Sequence, residues 1–187
     1  MTLHLLRSSA APAAMASTLL ALGTAAAPAA STRSGPRSSQ PRLVVSPSTL
    51  PLAQAIAPGD RIERLAELRL HGHGRFAAVY FSAHAAKSSA LDSDPQHGLQ
   101  VAIEQCSKNW RRRGAGFACP VKRFAVLARR PLLGRTRLRR LELHALRPAH
   151  LRLVITLPAN AGNSLQRQST GATYSFVGVA GRTRPRG

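Results

Sequence analysis

The chain has 187 residues, 27 Lys and Arg against 7 Asp and Glu, and a formal charge of +20. That length accommodates one domain with tails and a sizeable core, and an apolar fraction of 44% excludes a wholly disordered chain. Two cysteines exclude both a disulfide-dense scaffold and a four-cysteine zinc site, and past residue 30 no apolar run is long enough to cross a membrane as a helix.

Residues 1–30 read as a signal peptide. A weakly basic start holding Arg7 precedes the apolar stretch Ala10–Leu22, and small residues follow with an A-x-A exit at Ala27-Pro28-Ala29. No Arg-Arg pair precedes the apolar centre, which favours the general export route over the twin-arginine one. Residues 31–42 form a polar linker without apolar period. The folded domain is expected over 43–181, and residues 182–187 are a basic tail. At the domain's start, Leu43-Val44-Val45 is a short β-prone run, confined by Pro41 and Pro47 to Arg42–Ser46. It pairs within its own domain, stays disordered, or donates itself to the edge of a second copy.

Arg61–Leu70 fits two periods. The alternate positions Ile62, Arg64, Ala66, Leu68 and Leu70 suit a strand, whereas Ile62, Leu65, Ala66 and Arg69 suit a helix. Phe76–Phe81 is a continuous apolar run between Gly74 and Ser82, as in a buried strand. Leu99, Val101 and Ile103 alternate, and Leu141, Leu143 and Ala145 share a face within the mixed run Leu138–Leu146. The clearest alternation is at 150–157, where Leu151, Leu153, Ile155 and Leu157 point one way and Arg152, Val154 and Thr156 the other. Ala172, Tyr174 and Phe176 alternate likewise. Turn clusters at 57–60, 93–98 and 158–163 separate these runs. Short strands between turns, with no long amphipathic helix, predict an all-β antiparallel sandwich of jelly-roll or Greek-key type.

Cys106 and Cys119 enclose twelve residues, among them Trp110. In an exported chain such a pair is most simply a disulfide. A redox or metal-binding pair asks for C-x-x-C spacing or further ligands, and neither is present. Positions 111–152 hold 13 basic residues and one acid, Glu142. This stretch is either a footprint for phosphates or a solvated face in a chain that uses 24 Arg and 3 Lys. No helix-turn-helix, zinc finger or aromatic RNA-binding motif accompanies it, so nonspecific polyanion attraction is expected rather than specific nucleic-acid reading.

None of the seven histidines is followed by Glu, so H-E-x-x-H is absent. His71 and His73, two apart, would share one face of a strand and offer two metal ligands; exposed titratable turn residues are the other reading. Asp92 and Asp94 either help to hold Ca²⁺ or cap their turn. No G-x-S-x-G or Gly-rich phosphate loop occurs. No catalytic, cofactor or metal residue is therefore assigned.

Three blocks together resemble the TasA/camelysin family of secreted β-proteins. The first is Ala57-Pro58-Gly59-Asp60 with Leu65 and Leu68, and the second runs from Leu91 to Val101 and on to Cys106, Trp110 and Cys119. The third, Leu151–Pro158, continues through Gly162-Asn163, Gln166 and Gln168 to Tyr174-Ser175-Phe176. The chain departs from the family pattern at Arg69–Gly74 and in the arginine-rich stretch. The resemblance covers residues 50–181 and implies a jelly-roll-like sandwich, export, and a role in extracellular biofilm-matrix fibres. The expected function is thus a secreted, non-catalytic structural or surface-matrix protein. It would associate with itself or with cell-surface components, with strand exchange as a route to fibres and no mature membrane span. The alternatives are a secreted camelysin-like metallo-endopeptidase using His71 and His73, and a basic polyanion-binding protein.

Overall fold

The computed structural model describes residues 40–47, 56–165 and 168–181. The expected signal peptide, most of the linker and the basic tail lie outside them. The described chain is an all-β sandwich of two antiparallel sheets. The larger sheet is built from β1 (Arg42–Ser46), β2 (Arg61–His71), β4 (Gln100–Cys106), β7 (Arg123–Pro131) and β9 (Ala149–Thr156), in the order β1-β2-β9-β4-β7. The smaller sheet holds β3 (Phe76–Ala85), β8 (Gly134–Arg137) and β10 (Ala172–Ala180), in the order β10-β3-β8. A hairpin of β5 (Arg111–Arg113) and β6 (Gly116–Ala118) stands apart from both, and a single helical turn, α1 (Ala90–Ser93), joins β3 to β4.

The period-two pattern decides which faces meet. Leu151, Leu153 and Ile155 of β9 are buried together with Leu157 just beyond it. They pack with Ala66 and Leu68 of β2 and Val101 and Ile103 of β4 against Phe81, Tyr174 and Phe176 of the other sheet. The three rings stand 5.8–6.2 Å apart in tilted and edge-on contacts, a geometry that adds to the area they remove from water. The ambiguity over Arg61–Leu70 resolves as an eleven-residue strand paired with β9 along Arg61–Leu68. Its alternate set Ala66, Leu68 and Leu70 is buried, and a helix could not present those residues to one sheet.

The turn Ala57-Pro58-Gly59-Asp60 feeds β2. Asp60 N–H donates to the Ala57 carbonyl at 2.9 Å, and Gly59 has φ +89°, which is the backbone that a Pro-Gly centre supplies in a type II turn. Gly178 in β10 has a different role. A Cβ there would come within 2.5 Å of the Phe76 ring, so the ring lies on bare backbone.

One expectation needs correction, one strand is new, and one open alternative is resolved. Leu138–Leu146 is not a strand. Leu138 N–H bonds to Val79 of the smaller sheet and Arg139 N–H to Val126 of the larger one, and Arg140 then turns with φ +56°. A segment tied to two sheets cannot run along either. β7 was not anticipated from sequence, because its register against β4 shifts twice and leaves the consecutive residues Val126 and Leu127 both buried. β1 pairs with β2 of its own domain, Arg42 opposite His71 through Ser46 opposite Glu67. This is the own-domain pairing that its sequence left open as one alternative.

Candidate functional site

Cys106 ends β4, and Cys119 follows β6. The two cysteines are joined, with Cα atoms 5.7 Å apart. The bond ties down the β5–β6 hairpin, which lies over the outer face of the larger sheet. Beneath it the outward phases of three strands bring together residues distant in sequence. Glu104 of β4 stands directly opposite Arg152 of β9, and Arg152 stands opposite Leu65 of β2, two positions from Glu63.

Arg152 is the centre of this cluster. Leu153 points into the core as expected and Arg152 points away from it, yet Arg152 is only 5% exposed, because the hairpin covers it. Its guanidinium donates to both Glu63 oxygens at 3.3 Å, to Glu104 through Nε at 3.2 Å and through Nη2, and to the carbonyl of Phe117 on the hairpin. Trp110, enclosed by the disulfide loop, lays its ring 4.5 Å from the same guanidinium and donates its Nε1–H to the His150 carbonyl at 3.1 Å. Glu63 also accepts from Arg61 at 2.6 and 2.9 Å and from the Phe117 amide at 2.9 Å. Burial raises the Glu63 carboxyl. Hydrogen bonds from Arg61 and Phe117 and the charges of Arg152 and Arg61 outweigh that and hold it below its ordinary range. Both carboxylates are engaged by guanidinium groups, so the cluster is a clamp that holds the hairpin to the sheet. It offers no free acid or base.

The histidine pair does not lie along one strand, although both line the same surface pocket. β2 ends at His71, Gly72 follows with φ +83°, and both histidines are exposed. A left-handed glycine between them turns the chain, so they do not share a strand face as the spacing suggested. Among the described residues no group of three His, Cys, Asp or Glu is placed to hold a metal ion.

Asp92 and Asp94 have capping roles. Asp92 is buried and accepts from Ser88 Oγ at 2.6 Å, Ser89 N–H at 3.1 Å and Thr170 Oγ1 at 2.5 Å, which caps α1 and pins it to the approach of β10. Asp94 accepts from the Gln96 and His97 amides at 2.8 and 2.9 Å. The backbone hydrogen bonds, from His97 first and then Gln96, lower its pKa.

The arginine-rich stretch divides in three. Arg111, Arg112 and Arg113 form an exposed strand of the hairpin. Arg123 and Arg152 are used in ion pairs. Six more, Arg129, Arg130, Arg135, Arg137, Arg139 and Arg140, gather where β7 and β8, the edge strands of the two sheets, face each other across a cleft of about 940 Å³, whereas Arg147 lies elsewhere. On the other side of the sandwich lies β10, nine residues long and without a charge, paired only with β3 among the described residues. Val177 and Val179 on its outer face are each 41% exposed.

The clamp and the uncharged edge both escaped sequence reasoning. Glu63, Glu104 and Arg152 do occupy outward positions in their strands, but only the strand order makes them neighbours. The long charge-free run from Ala172 to Ala180 was the signal for the edge. In comparison with known proteins, no family model and no curated protein matches this chain.

Proposed function

We propose that the protein is an exported, non-catalytic structural protein that assembles by pairing the edges of its sheets. The observation that carries this reading is the contrast between β10 and the other edges. An unpaired strand presents a row of free N–H and C=O groups, and proteins commonly guard such a row with charge, proline, bulges or shortness. β7 carries Arg123, Arg129, Arg130 and Pro131 and two register shifts. β8 has four residues, two of them arginine, and β1 has five. β10 has nine residues, no charge and two outward valines, with a single irregularity near its end, between Val179 and Ala180.

Export is supported by the disulfide, since such bonds persist in oxidising compartments, and by the three-part N-terminal pattern. The resemblance to the TasA/camelysin fibre proteins favours the same role in an extracellular matrix. The metallo-endopeptidase reading has less support, for it needs a third ligand beside His71 and His73, and the described residues bring none together.

The test is assembly of the purified protein, followed by light scattering and electron microscopy. Wild-type protein is expected to leave the monomeric state, as dimers where β10 pairs with β10 and as filaments where it pairs with a different edge of the next copy. Val177→Lys/Val179→Lys, which charges the outer face of β10, is expected to stay monomeric with an unchanged near-ultraviolet circular dichroism spectrum. Equal polymerisation of this variant, or a wild-type protein that stays monomeric at every concentration, would overturn the proposal.

A further inference from the structure

The cleft between β7 and β8 is lined by Arg129, Arg130, Arg135, Arg137, Arg139 and Arg140, with Val126 and Leu138 among its apolar wall residues. Among the described residues no carboxylate lines it. Among the described residues the ion pairs of the protein involve other cations, and none of these six arginines is in one. Six like charges around one cleft repel each other, and the fold supplies no counter-charge there.

Two of the side chains and the backbone between the sheets are nevertheless held in place. The Arg135 guanidinium lies 4.4 Å from the centre of the Tyr80 ring, and Arg137 Nη2 donates to the Ala77 carbonyl at 3.0 Å. Leu138 and Arg139 are pinned by backbone bonds of 2.9 and 2.8 Å to opposite sheets. Arg140 then adopts φ +56° and is, among the described residues, the one non-glycine with positive φ. Such a backbone is strained and collects at ligand clamps and other functional sites.

We infer that this cleft is a binding site for a linear phosphate polymer that carries no bases. Guanidinium groups bind tetrahedral oxyanions through paired donors, which favours arginine over lysine in such a site. Single-stranded nucleic acid is ordinarily held through stacking on aromatic side chains as well as through charge, and the Tyr80 ring beside the cleft is already covered by the Arg135 guanidinium. A sulfated or uronic-acid polysaccharide interposes sugar rings between its charges. A phosphate chain carries charge on every unit and matches six arginines in one cleft more closely. The inference rests on the cleft alone and stands apart from assembly through β10.

The experiment measures binding of fluorescently labelled short-chain inorganic polyphosphate to the full chain by anisotropy, across a salt series. Oligothymidylate and heparin serve as competitors. Arg129→Gln/Arg139→Gln/Arg140→Gln removes three cleft charges, and Arg111→Gln/Arg112→Gln/Arg113→Gln removes three from the exposed hairpin strand. The cleft variant is expected to bind about tenfold or more weaker, and to flatten the slope of log affinity against log salt by about 2, at roughly 0.7 per lost contact. The hairpin variant should lose less than about threefold, as expected for long-range charge alone. Equal losses in the two variants would overturn the site. Tighter binding of oligothymidylate or heparin than of polyphosphate would overturn the ligand. Should the cleft variant fail to fold, hydrogen exchange on the wild-type protein decides. Polyphosphate must protect amides in 125–130 and 135–140, and protection elsewhere or none refutes the site.

Discussion

Removing the guanidinium of Arg152 would leave Glu63 and Glu104 facing each other under the hairpin with their shared counter-charge gone. Breaking a buried ion pair from one side typically costs 3–5 kcal/mol, whereas replacing all its members by apolar residues is often neutral. Glu104 keeps a quarter of its side chain exposed, which places Arg152→Ala near about 3 kcal/mol, the low end of that range. The expected order in urea unfolding is therefore wild type first, Glu63→Leu/Glu104→Leu/Arg152→Met slightly below it, and Arg152→Ala well below both. A single variant no worse than the triple one would mean that the cluster is no clamp. The lowered pKa of Glu63 adds a pH dependence. A carboxyl with its folded pKa below 4.5, its ordinary value, contributes stability that is complete above that pH and is lost as pH falls through the folded value. Glu63→Gln should remove this part of the acid response. Tyr174 acts at the other end of the scale. Burial pushes its phenol up to about 12, with the charge of Arg64 opposing, and its hydroxyl has no hydrogen-bond partner among the described residues. Between pH 10 and 12 the unfolded chain gives up this proton while the folded one keeps it, so stability falls as pH rises. Tyr174→Phe is expected to equal or exceed wild type at pH 7, since an unsatisfied buried hydroxyl is lost, and to unfold at higher pH in an alkaline titration.

At the scale of elements, the disulfide acts on the hairpin more than on the sandwich. Its loop is short, with a sequence separation of 13, and closing a loop of that size stabilises by about 3 kcal/mol in the chain-entropy model. Cys106→Ser/Cys119→Ser should lose about that amount. Hydrogen-exchange protection should disappear from 111–118 before it disappears from β9. Loss of protection in both at once would show the hairpin to be integral to the sandwich. The strand pattern also explains what could be read from sequence. β9 was legible because it is central, with one face in the core and regular pairing on both sides. β7 was not, since its bulges break the alternation on which such reading depends. β5, three successive arginines, has no strand signal of its own. It is held by a partner, Phe117, whose amide reaches Glu63 fifty-four positions away in the chain. The cysteine pair could be matched from its spacing and the expected export, but the clamp under it required the order β2-β9-β4. Strand order was the part of the fold that periodicity left open.

At the scale of the whole molecule, the two proposed activities make opposite demands on salt. Pairing through β10 brings together bodies that each carry a formal charge of +20, so their repulsion opposes assembly most at low ionic strength. The screening length shortens from about 30 Å at 0.01 M to about 10 Å at 0.1 M, and the assembly rate should rise across that range. Polyphosphate binding should weaken over the same range as counterion release loses its advantage. The two are nevertheless coupled through charge. A phosphate chain in the β7–β8 cleft lowers the net charge while leaving β10 open on the other side of the sandwich, so at low salt it should accelerate assembly. The cleft variant Arg129→Gln/Arg139→Gln/Arg140→Gln carries three fewer charges. Light scattering at about 0.02 M salt, well below the screening of 0.1 M, is expected to show it assembling faster than wild type without ligand and responding less to polyphosphate. Acceleration of both proteins by the same factor would place the polymer outside the cleft. Assembly that slows as salt is added would mean that the contacts between subunits are ionic, and that β10 does not make them.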